Sequence, residues 1–405
     1  MKQERALPKV EVSRKAENSI KSGHPGIYHT EIVGFRQEPD NGELTDIVSQ
    51  QGKYLGTGFY NNHSKIRIRV ITSNYNDRLD EAFFVRRLRH AWEYRKTVMG
   101  EDVSCCRLIF GESDFFPGLT VDRFGDILVS QTLSLGIEKI KPMLFRNLRE
   151  ILQEDGQEIR GIYERNDVAI RELEGMEQGK GFFPLEGKEI PQETETYIVE
   201  NGIRYEVDFE NGQKTGFFLD QKYNRQAVSR LSRGKRVLDC FTHTGSFALN
   251  AAKGGAERVH AVDISEPAVE MARKNASLNG MSSKISFEAA NVFDLLPALH
   301  EKFDFIILDP PAFTKSRQTV ESAMRGYKEI NLRAMKHLPR GGYLATCSCS
   351  HFMTEELFCN MLRSAAFDAS VSLRQIEARQ QSPDHPILWN VPETNYLKFY
   401  LFQIV

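Results

Sequence analysis

The sequence predicts an α/β protein of several domains: a doubly wound parallel sheet with a terminal antiparallel strand, preceded by a small β-barrel and an α+β domain. Three observations carry this. From Lys235 onward, strand-like runs at Arg236–Cys240, Arg258–Val262, Ile285–Ala289, Phe303–Leu308 and Tyr343–Thr346 alternate strictly with helical stretches, the signature of a parallel sheet covered on both faces. The chain closes on Leu397, Phe399, Leu401 and Gln403 alternating with Lys398, Tyr400, Phe402 and Ile404, which suggests one last antiparallel strand. Residues 8–72 instead read as short β-segments cut by Pro39-Asp40-Asn41-Gly42 and Gln51-Gly52, the spacing of a small barrel.

The barrel segments are Ile27–Phe35, Leu44–Ser49, Tyr54–Tyr60 and Lys65–Thr72. From Leu79 the period changes: Ala82, Phe83, Val85, Leu88, Ala91 and Trp92 recur at helical spacing up to Gly100. Strand-like runs at Arg107–Phe110, Thr120–Phe124 and Ile127–Leu133, a helix near Glu138–Leu152, and strands at Gly161–Tyr163 and Val168–Ile170 make this second unit α+β, ending near Gly187–Pro191. A hairpin within 195–210 follows, its arms Thr196–Val199 and Tyr205–Phe209 flanking Asn201-Gly202, a favoured two-residue turn. The expected domains are 1–76, 77–190 and 191–405.

At 405 residues the chain exceeds one ordinary core. A hydrophobic share of 40% with 27% charged residues describes a globular chain, not a disordered or fibrous one. Its longest apolar runs fall far short of the roughly 20 residues a membrane span needs, so no membrane partner is expected. The opening Met1-Lys2-Gln3-Glu4-Arg5 lacks an apolar signal segment. Cysteines at 105, 106, 240, 347, 349 and 359 show neither zinc-ligand spacing nor a dense disulfide pattern, and the expected setting is the reducing cytoplasm. Net charge is −2, yet residues 1–100 hold 17 Lys and Arg against 12 Asp and Glu. There Lys65, Arg67, Arg69, Arg78, Arg86, Arg87, Arg89, Arg95 and Lys96 are interleaved with Tyr75, Trp92 and Tyr94, which suits phosphate neutralisation and base stacking or, equally, a solvated helix face.

In an open α/β sheet ligands sit beyond the carboxyl ends of the strands. The first strand runs into Asp239-Cys240-Phe241-Thr242-His243-Thr244-Gly245-Ser246. This glycine-containing turn lets the backbone approach a ligand and offers N–H groups to a carboxylate, while lacking the G-x-G-x-x-G of a pyrophosphate site. The second ends in Asp263, placed to accept from both hydroxyls of a ribose, and the third is followed by Asn291 and Val292, which suit an adenine edge and face. Singly, Asp239 and Asp263 could be helix caps; their succession at consecutive strand ends resembles the class I S-adenosylmethionine methyltransferases and their Rossmann-like sheet.

The fourth strand enters Asp309-Pro310-Pro311-Ala312-Phe313. Two successive prolines fix φ and hold the Asp309 carboxyl in one direction, where a planar base could be gripped by its ring nitrogen and exocyclic amine with Phe313 stacked on it. The fifth ends in Thr346-Cys347-Ser348-Cys349-Ser350-His351. A cysteine there could attack an electron-poor ring carbon and so make its neighbour nucleophilic, help that C5 of a pyrimidine needs and a ring nitrogen does not. Cys347 lies within the strand's alternation and Cys349 beyond it, which favours Cys349. The base that removes the C5 proton is not legible.

The chain resembles the large-subunit (23S) ribosomal RNA cytosine-C5 methyltransferases that carry an N-terminal PUA domain, over about Pro8–Val405. The resemblance lies in His24-Pro25, Gly111-Glu112-Ser113-Asp114, Pro117-Gly118-Leu119, Val121-Asp122-Arg123-Phe124, Lys214-Thr215-Gly216-Phe217-Phe218-Leu219-Asp220-Gln221, Asp309-Pro310-Pro311 and Ser348-Cys349-Ser350. It implies an RNA-binding PUA-like first domain, S-adenosylmethionine as methyl donor and Cys349 as nucleophile; Asp309, read above as the grip on the base, is the second catalytic candidate. It also implies a cofactor site drawn from Asp239, Phe241, Thr244, Gly245, Ser246, Asp263, Asn291, Val292, Asp309 and Pro310, covered by Thr215, Phe217 and Asp220. His243 and Asn291 depart from the family's usual aromatic and acidic residues. Methylation of a guanine nitrogen and a non-catalytic RNA-binding assembly role are the competing readings, while a metal-dependent hydrolase is poorly supported. DNA is not an expected partner, and the sequence leaves open whether the chain pairs as a homodimer.

Overall fold

The computed structural model describes residues 6–187 and 189–405; the opening Met1–Arg5 read above lies outside them. The chain forms two compact units: Met1–Tyr197 with Val207–Leu219 and Pro383–Thr394, and Ile198–Glu206 with Asp220–Ser382 and Asn395–Val405.

The first unit opens with β1 (Lys9–Val12), α1 (Arg14–Lys21), β2 (Gly26–Tyr28), β3 (Ile32–Phe35), β4 (Leu44–Ser49), β5 (Tyr54–Tyr60) and β6 (Ile66–Thr72). These strands make a six-stranded sheet in the order β2-β6-β5-β4-β1-β3, with β1 parallel to β4 and the other pairs antiparallel. The order leaves β2 and β3 at its edges, so the barrel is open. Val10, Ile27, Ile47 and Ile68 fill its core. The expected segment Ile27–Phe35 is two strands, because a 3₁₀ turn at His29–Glu31 interrupts it. Then come α2 (Glu81–Met99), β7 (Cys105–Phe110), β8 (Leu119–Phe124), β9 (Ile127–Thr132), α3 (Leu135–Glu154), β10 (Gly161–Arg165), α4 (Ile170–Leu173) and β11 (Lys180–Phe183), with sheet order β11-β10-β9-β8-β7. Asp80 caps α2 by accepting from Phe83 N. The strand expected at Val168–Ile170 is absent; Ile170 instead opens the short helix α4, and β11 is the partner that completes the β10 edge.

β12 (Glu195–Glu200) and β13 (Ile203–Asp208) form the expected hairpin. Asn201 and Gly202 both take positive φ, 54° and 69°, as a type I′ turn requires.

The second unit contains α5 (Lys222–Leu231), β14 (Arg236–Cys240), α6 (Ser246–Lys253), β15 (Arg258–Asp263), α7 (Glu266–Leu278), β16 (Ile285–Ala289), α8 (Val292–Ala298), β17 (Phe305–Leu308), α9 (Val320–His337), β18 (Tyr343–Ser348), α10 (Glu355–Ala369), β19 (Leu373–Arg379) and β20 (Lys398–Ile404). The sheet order is β16-β15-β14-β17-β18-β20-β19. Its first five strands are parallel, and β20 inserts antiparallel between β18 and β19. The order reverses at β14, so the ends of β14 and β17 flank the switch point where such sheets bind ligands. Leu238, Ile306, Leu308, Leu344, Tyr327 and Phe358 are buried in one core between the sheet and helices α9 and α10.

A buried carboxylate organises the first unit. Asp122, on β8, accepts two bonds from the Arg107 guanidinium (2.7 and 2.8 Å) and one from Thr215 Oγ1 (2.5 Å). Opening this arrangement strands a largely buried guanidinium without its counter-charge. Asp122→Ala is therefore expected to destabilise the protein by about 3 kcal/mol, read as a lowered urea midpoint; an unchanged midpoint would show that the pair contributes nothing net.

Candidate active site

Three acidic side chains end neighbouring parallel strands of the second unit. Asp239 of β14 is fully buried; its Oδ2 accepts from Thr242 Oγ1 (2.6 Å) and Ala248 N (2.9 Å), while Oδ1 has no hydrogen-bond partner. Burial pushes its pKa up to about 7 against the pull of Thr242, and the charge of Asp309 adds to the rise. Asp263 ends β15 and accepts from His243 N (2.9 Å) and Ser265 N (3.0 Å), which aims its carboxylate across the turn after β14. In that turn Phe241, His243 and Gly245 take φ of 65°, 50° and 82°. The alternation folds the backbone tightly into α6. A Cβ at Gly245 would lie 3.0 Å from the Ala272 Cβ, so glycine is needed there for both conformation and space. Thr244 is held through its carbonyl by Asn275 Nδ2 (3.1 Å), and Ser246 is buried at the first turn of α6.

Asn291 caps α8, accepting from Phe293 N (3.1 Å) and donating to Asp294 (2.9 Å), and Val292 is buried behind it. Ile264, which follows Asp263, and Phe293, in the first turn of α8, each expose apolar surface; Ile264 was not singled out by sequence reasoning.

Asp309 follows β17. Its Oδ1 accepts from Gln221 Nε2 (3.0 Å), and it also bonds with the thiol of Cys347. Burial, then the nearby Asp220 charge, raise its pKa to about 6, opposed by Arg225, Cys347 and Gln221. Gln221 is fixed in turn by Asn224 Nδ2 (2.6 Å). Gln221 lay inside the motif read above, yet only the contact with Asp309 reveals what it does. Phe313 packs within an aromatic group, its ring centroid 4.6 Å from Tyr327, 5.8 Å from Phe293 and 6.5 Å from Phe241.

The two thiols differ sharply. Cys347 is 0% exposed within β18, and burial followed by the Asp309 charge pushes its pKa well above the usual thiol range. Cys349 is half-buried, one residue past the strand, with Sγ 3.9 Å from Pro310 O. Both flanking serines pin its turn: Ser348 Oγ bonds Tyr327 OH (3.1 Å) and Ser350 Oγ donates to Thr314 O (2.7 Å). The Ser-Cys-Ser motif therefore places the thiol by two buried hydroxyl bonds.

The stretch Thr215–Asp220 divides between the units. Thr215 and Phe217 are buried in the first unit, Thr215 on Asp122. Asp220 belongs to the second, where it accepts from Tyr396 OH (2.6 Å). The basic stripe is also thinner than its sequence suggested. Arg95 is buried on Asp114, Arg69 pairs with Glu174, Arg89 with Glu154 and Lys96 with Asp155. Arg87 donates to the carbonyls of Ile71 and Phe115, and Trp92 is buried. Pairing engages these cations, and Lys65, Arg78, Arg86 and, despite its pair, Arg89 remain exposed.

S-adenosylmethionine fits this chemistry. A cationic ligand suits a cluster of strand-end acids, the buried Asp239 Oδ1, without a partner among the described residues, offers an acceptor, and Asp263 faces a turn where the backbone bends close.

Comparison with known proteins agrees. Residues 186–403 match the S-adenosylmethionine-dependent methyltransferase family, and residues 10–73 match a PUA-like domain. The chain is 40% identical over 404 residues to ribosomal RNA large subunit methyltransferase I of Klebsiella pneumoniae (strain 342), covering 98% of this chain and 99% of that protein. It is 41% identical over 394 residues to the protein of that name from Tolumonas auensis, covering 96% and 97%. A SAM-dependent methyltransferase from Streptococcus mutans shares the fold, with a TM-score of 0.81 at 22% identity over 98% of this chain and 99% of that one. A methyltransferase solved in complex with SAH gives 0.82 at 22% identity over the same shares. With its strand-end acids, its reversed sheet order and these full-length relatives, the chain belongs to the S-adenosylmethionine-dependent methyltransferases, with a PUA-like domain at its N-terminal end.

Proposed function

We propose that this protein methylates C5 of a cytosine in large-subunit (23S) ribosomal RNA, with Cys349 as nucleophile. The observation that carries the reading is the accessible thiol of Cys349 beside the Asp309-Pro310-Pro311 turn, held by bonds from both neighbouring serines. The RNA target follows the name shared by relatives that match nearly end to end. Residues 1–76 and 77–190 would bind RNA, with Lys65, Arg78 and Arg86 as exposed cations, and residues 191–405 would perform the chemistry.

When bound, S-adenosylmethionine supplies an electrophilic methyl group. Asp239, Phe241, Thr244, Gly245, Ser246 and Asp263 would hold it, with Asn291 and Val292 at the adenine end and Pro310 at the methyl end; of the expected cover, Asp220 lies in the same unit. An unpaired cytosine enters with its N3 and amine toward Asp309. In its neutral form Asp309 donates to N3 and accepts from the amine, and its raised pKa keeps a larger share of that form near neutral pH than an ordinary carboxyl has. The Cys349 thiolate adds to C6, and electron density moves through the ring to C5 while N3 takes the proton of Asp309. After C5 is methylated, its proton leaves to solvent, the thiolate is expelled from C6 and N3 returns its proton to Asp309, which restores the aromatic ring.

Cys349→Ala is expected to lower turnover by about a thousandfold or more with S-adenosylmethionine affinity unchanged by calorimetry, and the wild type should form a covalent adduct with RNA containing 5-fluorocytidine. Full turnover by Cys349→Ala would sink the C5 chemistry and favour a guanine nitrogen as target. Asp309 sets a second expectation. Because its neutral form acts together with the Cys349 thiolate, single-turnover rates should stop rising near pH 6 and decline only above the pH at which the thiol is fully ionised. Asp309→Asn should lose that limb and about two orders of magnitude in rate; an unaltered profile would remove Asp309 from proton transfer. Asp263→Ala should weaken S-adenosylmethionine binding about tenfold or more, from loss of charge-assisted hydrogen bonds.

A further inference from the structure

Lys398 opens β20, directly opposite Ser348 of β18, and is only 6% exposed. A charged side chain at that depth needs partners. Its Nζ donates to the backbone carbonyls of Ser350 (2.6 Å) and Tyr396 (2.8 Å). Both acceptors are neutral, so these bonds fix the ammonium in place without cancelling its charge, and they leave its third proton uncommitted. The Ser350 bond ties the ammonium to the residue next to Cys349, and the two side chains interact electrostatically. Burial lowers the lysine pKa to about 8, against the opposing influence of Cys349 and then Glu355, so the charge persists at neutral pH.

We propose that Lys398 is a positioning residue that holds its ammonium beside Cys349 and stabilises the thiolate, while its backbone bond fixes the Ser348-Cys349-Ser350 turn. The inference rests on the reading of Cys349 as nucleophile and adds the group that activates it. The thiol proton leaves to solvent and the lysine stays protonated, so no further acid or base is required. Nearby cations lower a thiol pKa in this way. Other ionisable groups also face the pair. Tyr327 from α9, Cys347 from β18 and Asp309 from β17 bear on the thiol directly or through Cys347, and Glu355 at the start of α10 bears on the lysine. Tyr327 and Cys347 are held neutral by burial and Asp309 opposes ionisation, whereas Lys398 brings a cation to the thiol.

The test is the pH dependence of iodoacetamide alkylation at Cys349 in the full chain, resolved by peptide mass spectrometry so that Cys359 is read separately. In the wild type the thiolate should form below the ordinary value of about 8.5. In Lys398→Met the onset should move up by about one pH unit, giving roughly tenfold slower alkylation at pH 7 and equal rates at high pH. Lys398→Arg, which keeps the charge, should retain the early onset. If Lys398→Met fails to bind S-adenosylmethionine by calorimetry, the comparison of wild type with Lys398→Arg decides: the arginine protein should lack any inflection near pH 8. Superimposable profiles for the wild type and a cofactor-binding Lys398→Met would overturn the proposal, as would an arginine profile with a late onset or an inflection near pH 8. This readout is independent of the methylated atom. A shifted profile with a fully active Cys349→Ala would retain the Lys398 coupling and discard C5 chemistry; an unshifted profile with an inactive Cys349→Ala would do the reverse.

Discussion

The parallel pairing of β15, β14, β17 and β18 is the constraint on which the catalytic unit depends. Because the strands run in register, Cys240 faces Val262 and Leu308, and Leu308 faces Thr346. Every strand therefore delivers its next residues to one edge, and the sheet converts four distant sequence positions into a single site. The same pairing concentrates like charge. Burial and the charge of Asp309 raise the proton affinity of Asp239, and burial and the charge of Asp220 raise that of Asp309. That crowding is unfavourable in the free protein and would be relieved by a cationic ligand, the charge type of a sulfonium.

Electrostatic sorting then distinguishes two thiols only two residues apart. Cys347 lies inside the strand against Asp309 and is held neutral. Cys349 escapes the strand, and its turn is fastened from three directions by Tyr327, Thr314 and Lys398. The chemistry assigned to the site thus relies on placement as much as on residue type.

Much of this was legible in the sequence. Strict alternation located all five parallel strands, because buried parallel strands are continuous apolar runs between helices, and the Asn201-Gly202 turn announced its hairpin. What escaped had local reasons. β19 carries Arg374, Gln375, Glu377 and Arg379 at a sheet edge, so it lacked the apolar pattern by which a strand is recognised. The basic stripe looked exposed because sequence shows a charge but not its distant counter-charge, as for Arg69 with Glu174. The sequence motif around Asp122 had no evident purpose until Arg107 and Thr215 met on it. Lys398 left a trace, a lone cation in an apolar run, whose meaning depends on a partner about fifty positions earlier.

The placement of β20 between β18 and β19 has a consequence in time. Its pairing with β18 spans about fifty residues, and β19 joins the sheet only through β20; long-range pairings of this kind form late. Until it arrives, the carbonyl of Ser350 has no ammonium and the turn bearing Cys349 lacks one of its three fastenings. Thiol reactivity is in this sense a report on completed folding: an intermediate with the first five strands in place could hold cofactor while its cysteine remained quiescent.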